Sequence, residues 1–334
     1  MTTTLAPDAS RQGADIQGFH GIQRRLAALL PSEAWTEAPP PLELTALGAD
    51  EAPRLIAASV LEGTTVRAHV VDGEVSPRFA AFLDGTQRSR VIAHADEVPV
   101  VHGLVAAVVR QRSDRRMHTW GAPTVRQALY APIPLLGQRW RDALLLSGVP
   151  VIDTLSRGEP ASTHPFALQD SAIHAVQYAR EAAERELAER WCAAETRELV
   201  VDGAITGSET VATSTSVVGV IKSHRTLYAD GDALRTVLRL SRGERSSVFR
   251  VTSPRRTPVA SWYLRVRDPR GHDPLWGLVR VEVAEAGPGR LPERADAVSR
   301  WVLAESLPLA LPDGRWDKMM YGIRDCEEFL RAIQ

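Results

Sequence analysis

Two aspartates stand where an apolar segment gives way to glycine. Asp84 lies in "AFLDGTQRSR" (81–90) and Asp202 lies in "ELVVDGAI" (198–205). An Asp-Gly pair after a strand is most often only a turn. Carboxylates collected from strand ends are also the oxygen ligands that Mg²⁺ and Mn²⁺ prefer, and two such ions can assist phosphodiester cleavage. The repeated pattern therefore raises the hypothesis of one carboxylate metal site.

Several other kinds of hydrolase site do not fit the sequence. A haloacid-dehalogenase-like phosphatase needs a nucleophilic aspartate at the position that Phe82 occupies. The sequence contains no P-loop and no dinucleotide-binding glycine pattern. The nine histidines form no His-Glu-x-x-His pair, and only two cysteines are present, so a zinc site has no support. Carboxylate chemistry remains.

A helix between the two aspartates adds more carboxylates. Apolar residues recur at helical spacing across 171–195 and form one stripe: Ala172, Val176, Ala179, Ala183, Leu187 and Trp191. Glu184 and Glu186 fall about equally far to either side of this stripe, whereas Glu181 points further away. Either of the first two can reach a site beside Asp202, and the periodicity does not rank them.

The elements that must position these residues indicate an α/β fold. Alternating or apolar segments predict strands at 65–71, 79–83, 90–95, 98–110, 198–201 and 216–223, and antiparallel strands at 247–251, 260–267 and 276–285. Helices are predicted at 16–30, 138–148, 171–195, 232–240, 292–307 and 325–334, the last with an acidic first turn. In this prediction Asp84 ends one strand, and Gly85 allows a sharp stop. Residues 1–54 form a helical extension with a Pro-rich connector, and residues 55–334 form the main domain.

Composition limits the possible partners. The chain has 334 residues, 44% of them apolar, and a formal net charge of −1, so no global field attracts nucleic acid. Basic clusters at 110–116, 239–245 and 255–270 are the local alternatives. Of the 40 lysines and arginines, only Lys222 and Lys318 are lysines. No apolar run reaches the ~20 residues of a membrane span, and the N-terminus lacks an apolar signal core, so a cytoplasmic protein is expected.

The order of these parts resembles the NurA family of DNA-end-processing nucleases. The strand with Asp84-Gly85-Thr86, the glutamate-bearing helix, the strand with Asp202-Gly203 and "VVGVIKS" follow one another as in that family, over roughly residues 65–334. The resemblance implies an RNase H-like core, with a mixed sheet flanked by helices, in a homodimer. It also implies Mn²⁺ or Mg²⁺ as cofactor, with two ions possible. DNA and a HerA-type hexameric ATPase are the implied partners.

The resemblance also assigns roles to individual residues. Asp84 and Asp202 would be metal ligands, together with Glu184 or Glu186. Lys222 would hold the scissile phosphate, although a lysine capping a strand end explains it about as well. We further expect arginines within 239–270 to follow the DNA backbone.

The C-terminal segment departs from the family. Archaeal members carry a histidine near the site, and "PDGRWDKMMYGIRDCEEF" (312–329) has none. The polar groups available there are Asp317, Lys318 and Tyr321. Asp317 can replace the histidine as a ligand because a carboxylate suits Mn²⁺ or Mg²⁺, and Lys318 can contact phosphate.

The expected activity is therefore metal-dependent hydrolysis of DNA at its ends, in repair or in defence against phage. Two alternatives stay open. One is a catalytically weak or inactive adaptor that docks the ATPase, which the missing histidine favours. The other is a different phosphoesterase that uses the same metal site.

Overall fold

The computed structural model describes residues 4–5, 19–30, 36–37, 52–114, 116–155, 163–254, 256–285, 291–306 and 318–333. The helices are α1 (Phe19–Leu29), α2 (Gln138–Leu146), α3 (Pro165–Ala194), α4 (Glu209–Thr213), α5 (Gly231–Leu238), α6 (Leu291–Glu305) and α7 (Tyr321–Ile333). The strands are β1 (Thr4–Leu5), β2 (Thr36–Glu37), β3 (Arg54–Leu55), β4 (Ser59–Val60), β5 (Ala68–Val70), β6 (Ala81–Ala95), β7 (Val98–Ser113), β8 (Arg116–Thr119), β9 (Thr124–Ala131), β10 (Val151–Asp153), β11 (Leu199–Asp202), β12 (Val217–Ile221), β13 (Thr226–Leu227), β14 (Glu244–Ser246), β15 (Phe249–Val251), β16 (Val259–Arg265) and β17 (Leu278–Val283).

These elements form an α/β protein with a large mixed sheet flanked by helices, as the sequence predicts. Strands β6, β11 and β12 are parallel neighbours, and β12, β17 and β16 are antiparallel neighbours. The antiparallel order of β15, β16 and β17 also matches the alternation in the sequence. Parallel strands bury both faces, which explains why β11 and β12 read as nearly continuous apolar runs.

The chain divides into two compact units: 1–49 with 85–106 and 124–183, and 50–84 with 107–123 and 184–334. In the first unit, α1 and α2 bury an apolar core with β9 and β10, in which Ile22, Leu26 and Trp140 are central. The start of α3 packs in a second cluster, through Ala172 and Val176. These two residues belong to the apolar stripe predicted for this helix.

In the second unit, every residue of β16 and β17 is buried. The predicted helix at 292–307 is α6, with Pro292 in its first turn. It is fixed to the sheet by the Trp262 indole, whose Nε1 donates to Ser299 Oγ at 2.9 Å. This unit contains Asp84, both candidate glutamates, Asp202 and Lys222.

The prediction that Asp84 ends a strand is wrong. Strand β6 continues without a break from Ala81 to Ala95, so Asp84-Gly85-Thr86 lies inside it. Gly85 is not one of the glycines with a positive φ, and extended backbone accommodates both glycine and threonine there. The predicted turn before the next strand is present, with Asp96 at φ 53°. The two short strands predicted at 79–83 and 90–95 are therefore one long strand.

Two helix starts were predicted too late. Helix α3 begins at Pro165 rather than at residue 171, and α7 begins at Tyr321 rather than at residue 325. The first turn of α7 therefore carries no acidic residue. The reason is that buried Ile323 extends the apolar face formed by Cys326 and Leu330, so the helix gains a buried first turn.

Candidate functional site

The register between two parallel strands aligns the two aspartates. Strand β11 pairs with β6 through Leu199↔Ala81, Val200↔Phe82 and Val201↔Leu83, and Asp202 and Asp84 are the next residue on each strand. Neighbouring strands lie about 4.8 Å apart, and residues at equal register project to the same face of a sheet. The two carboxylates are therefore neighbours on one face.

The third strand adds a lysine to the same face. Strand β12 runs parallel to β11 with Asp202 opposite Val220, and Lys222 follows two residues later. A two-residue step returns to the same face of a strand. The Lys222 Nζ donates to Asp202 Oδ2 at 2.9 Å, and both side chains are about one-fifth exposed, at 19% and 20%. The ammonium therefore offsets part of the negative charge that two adjacent carboxylates create.

Helix α7 covers the face that carries this acid pair. Gly322 lies against the Phe82 ring so closely that an added Cβ would be 2.2 Å from Cδ2. Phe82 is two residues before Asp84 and shares its face. Cys326 Sγ donates to the Phe82 carbonyl at 3.4 Å. Asp84 is consequently only 6% exposed.

The pKa of the Cys326 thiol on α7 is affected by the charge of Asp84, which shows that the two residues are close. Burial, and then the nearby carboxylates of Asp84 and Asp325, raise the pKa of Cys326 well above its usual range. Cys326 therefore stays a neutral thiol at neutral pH. Sequence reasoning missed this residue, and its only signal was its position on the apolar face of the last helix.

The two candidate glutamates differ in burial. Glu184 is buried, at 8% exposure, and Glu186 is half-buried. Glu181 accepts a hydrogen bond from Gln177 Nε2 at 2.9 Å, within its own helix. Within the described ranges, no group of three or more His, Cys, Asp and Glu side chains is placed to hold a metal ion. The structure thus brings together Asp84, Asp202 and Lys222, and no third carboxylate of the described residues joins them.

The C-terminal candidates have different outcomes. Asp317 lies outside the described residues. Tyr321 is the first residue of α7, is 50% exposed, and lies near Arg112. Lys318 lines a pocket together with Lys222. Of the two described candidates, Lys318 is therefore the one that the structure connects with Lys222.

His224 lies close to the same region. Its Nε2 donates to the Leu278 carbonyl at 2.7 Å. Burial lowers the pKa of His224 most, and the positive charges of Lys318 and two arginines lower it further. The hydrogen bond to Leu278 raises the pKa by less, so the net pKa is about 4. The imidazole is therefore neutral at neutral pH. Sequence reasoning passed over this residue because a single histidine carries no spacing signal.

The expectation that arginines across 239–270 follow DNA is wrong for two of them. Arg245 is 1% exposed and donates to Glu62 Oε2 at 2.6 Å and Asp296 Oδ1 at 2.5 Å. Arg265 is fully buried and donates to four backbone carbonyls, those of Leu238, Leu240, Pro274 and Trp276. The N–H groups of both guanidinium groups donate to acceptors within the protein, so these two arginines stabilise the fold. Among the described residues of this stretch, the exposed arginines are Arg239, Arg242, Arg256 and Arg270.

Along the described part of the chain, no helix combines the length and the apolar character that a membrane crossing requires. A scan of the sequence against protein-family models gives no match. A search of curated proteins gives no match either.

Proposed function

We propose that the protein is a metal-dependent DNA nuclease of the NurA type, with an RNase H-like core. One observation carries the proposal. Asp84 and Asp202 are register neighbours on adjacent parallel strands, with Lys222 bonded to Asp202 on the same face. A paired carboxylate with an adjacent ammonium is the arrangement expected for holding a cation beside a phosphate. The mixed sheet, with β6, β11 and β12 parallel and β17 antiparallel, supports the RNase H-like assignment.

The residues present fit a hard divalent cation. Asp84 and Asp202 would hold Mn²⁺ or Mg²⁺, because such ions take oxygen ligands from a few converging carboxylates. The third ligand that the family resemblance implies stays either Glu184 or Glu186. Of the two, Glu184 is the buried one, and the structure groups neither of them with the two aspartates. Bound ions of this kind supply Lewis-acid stabilisation of the charge that develops during phosphodiester hydrolysis. Burial of Asp84 under α7 fixes its carboxylate, and Lys222 orients that of Asp202.

The remaining expectations belong to the same proposal. The substrate is DNA, the protein works as a homodimer in the cytoplasm, and a HerA-type hexameric ATPase delivers the DNA. The net charge of −1 supports a need for delivery, because a protein without a positive field holds polyanions weakly. End processing in repair and degradation of phage DNA both use this chemistry.

The first test removes one carboxylate without changing the shape of the side chain. Asp84→Asn and Asp202→Asn should each lower cleavage of linear duplex DNA with Mn²⁺ by at least about 100-fold, since even groups that only hydrogen-bond to metal ligands are worth about 10–100-fold. Glu181→Gln is the matched control on the acidic helix and should leave cleavage unchanged. Undiminished digestion by Asp84→Asn would remove the proposed site.

A second candidate function rests on the ion pair itself. Because the Lys222 ammonium contacts Asp202 at 2.9 Å, it can supply the positive charge that a metal would otherwise supply. In this case the chain is an inactive adaptor that docks the ATPase. Wild-type protein that binds the hexamer, yet shows no cleavage with Mn²⁺ or Mg²⁺ in the complex, would establish the adaptor.

A further inference from the structure

A small pocket lies beside the acid pair, between the end of β12 and the start of α7. It encloses only about 20 Å³ and is partly open to solvent, and its lining includes Lys222, Lys318, Met320, Ile323, Arg324 and Glu327. Pockets that take drug-sized ligands hold about 300–1,000 Å³. This pocket is far smaller, so it suits one small charged group at its mouth and not a whole nucleotide.

The only two lysines of the chain both line this pocket. The other 38 of the 40 lysines and arginines are arginines. Arginine is suited to planar, bidentate pairing, whereas an ammonium is a compact charge whose three donors rotate. Two lysines in the lining of one small pocket can therefore contact the same tetrahedral anion.

The neighbouring groups add to the positive character of the pocket. Helix α7 is 13 residues long, and its first intrahelical bond joins Arg324 N to Met320 O at 3.0 Å. The preceding N–H groups have no intrahelical acceptor, and the side chain of Met320 carries no oxygen to cap them. These N–H groups and the positive end of the helix dipole both attract an anion. They therefore add to the attraction that the two lysines exert.

Other charged residues of the lining are engaged with one another. Arg324 donates to Glu328 Oε1 at 2.9 Å and to Glu327 Oε2 at 3.3 Å. Lys222 and Lys318 are the other two cations of the lining. Lys222 also contacts Asp202, so one side chain borders both the pocket and the acid pair. An anion in the pocket would compete with Asp202 for this ammonium.

We propose that Lys222, Lys318 and the start of α7 form a binding site for a phosphate group of the DNA strand, next to the phosphate that is cleaved. This inference rests on the proposed nuclease function for the identity of its ligand. It predicts that the strand enters along the first turn of α7. It also gives Lys318 a role as a binding residue.

The two lysines allow a direct test by NMR. Reductive methylation with ¹³C labels both lysine ammonium groups and the α-amino group, and the Lys222→Arg and Lys318→Arg variants assign the two lysine signals. The probe is a single-stranded hexadeoxynucleotide in EDTA, which prevents cleavage. We expect both signals to shift and saturate with one common dissociation constant. A hexamer with an uncharged methylphosphonate backbone is the matched control and should shift neither signal.

Substitutions check the same site without labelling. Lys318→Gln should weaken binding of the hexamer at least about tenfold, as expected when one charge-assisted contact is lost. Arg270→Gln changes a 90% exposed cation that is outside the pocket lining, and it should change binding less than twofold.

Three outcomes would overturn the proposal. The first is a shift of the two lysine signals with the charged hexamer that is no larger than the shift with the methylphosphonate hexamer. The second is wild-type affinity in a folded Lys318→Gln variant. The third is inorganic phosphate binding as tightly as the hexamer, which would make free phosphate the ligand. Failure of the proposed nuclease is separate, because it would show as absent cleavage with Mn²⁺ while both lysine signals still saturate with DNA.

Discussion

Two regions of the second unit combine cations with carboxylates in opposite ways. The first region, here called the arginine cluster, consists of Arg245, Glu62 and Asp296. Arg245 is 1% exposed, and its guanidinium is bonded to both carboxylates. At the acid pair, the Lys222 ammonium is 19% exposed, contacts Asp202, and borders a pocket. In the first region, fixed carboxylates accept hydrogen bonds from a planar guanidinium. In the second, a rotating ammonium lies where solvent and a ligand can reach it. The comparison separates charges that hold the fold from charges that can meet a ligand.

The largest effect should come from breaking the arginine cluster. Arg245→Met leaves two carboxylates beside a buried site without their cation, and loss of one partner of a buried pair costs about 3–5 kcal/mol. We expect the free energy of unfolding in urea to fall by this amount. Arg270→Ala removes an exposed pair with Asp268, which solvent screens, and should leave the free energy of unfolding unchanged. Equal effects of the two substitutions would contradict the structural role of Arg245.

An intermediate effect is expected where α7 meets the face of the acid pair. Gly322→Ala places a methyl group 2.2 Å from the Phe82 ring, and overpacking of this kind costs about 1–3 kcal/mol. Because α7 covers Asp84, cleavage of DNA should fall together with stability. Gly21→Ala in α1 has open space around the new Cβ and should be neutral or stabilising by up to about 1 kcal/mol. Full stability and activity in Gly322→Ala would show that α7 does not seat tightly on this face.

The smallest effect is a pH dependence. Burial of Glu62 raises its pKa, but hydrogen bonds from Arg245 and Val248 outweigh burial, and the net pKa lies below the usual 4.5. A depressed folded-state pKa stabilises the protein above the unfolded value, and this contribution is lost as pH falls through the lower folded value. The free energy of unfolding of the wild type in urea should therefore decrease as the pH falls below about 4.5. In Arg245→Met, the part of that slope due to Glu62 should disappear, and an unchanged slope would assign it to other groups.

Local patterns predicted much of this fold. The apolar stripe of α3, the strand ending at Asp202 and the alternation of β16 and β17 depend on neighbours a few residues apart, so the sequence displays them directly. The continuity of β6 was missed because Asp-Gly-Thr is common in turns, and only pairing with β11 shows that it stays extended here. Register and pairing depend on distant residues, which no local window contains.

The site was predictable only in part, for the same reason. Asp84, Asp202 and Lys222 were proposed from the order of motifs, and the structure brings them to one face of the sheet. The burial of Arg245 and Arg265 could not be anticipated, because charged residues are expected at the surface unless a partner is known. The meeting of Lys222 and Lys318, 96 positions apart in the chain, likewise depends on how α7 returns to β12.

The placement of both lysines has a practical consequence for handling the protein. A protease that cuts only after lysine has two target bonds in the whole sequence, after Lys222 and after Lys318, and both adjoin one pocket. Amine-directed crosslinkers and coupling to an activated surface act on the same two side chains and on the α-amino group. Immobilisation through lysine would therefore modify this pocket, whereas the rate of cleavage after Lys318 would measure how often the start of α7 opens.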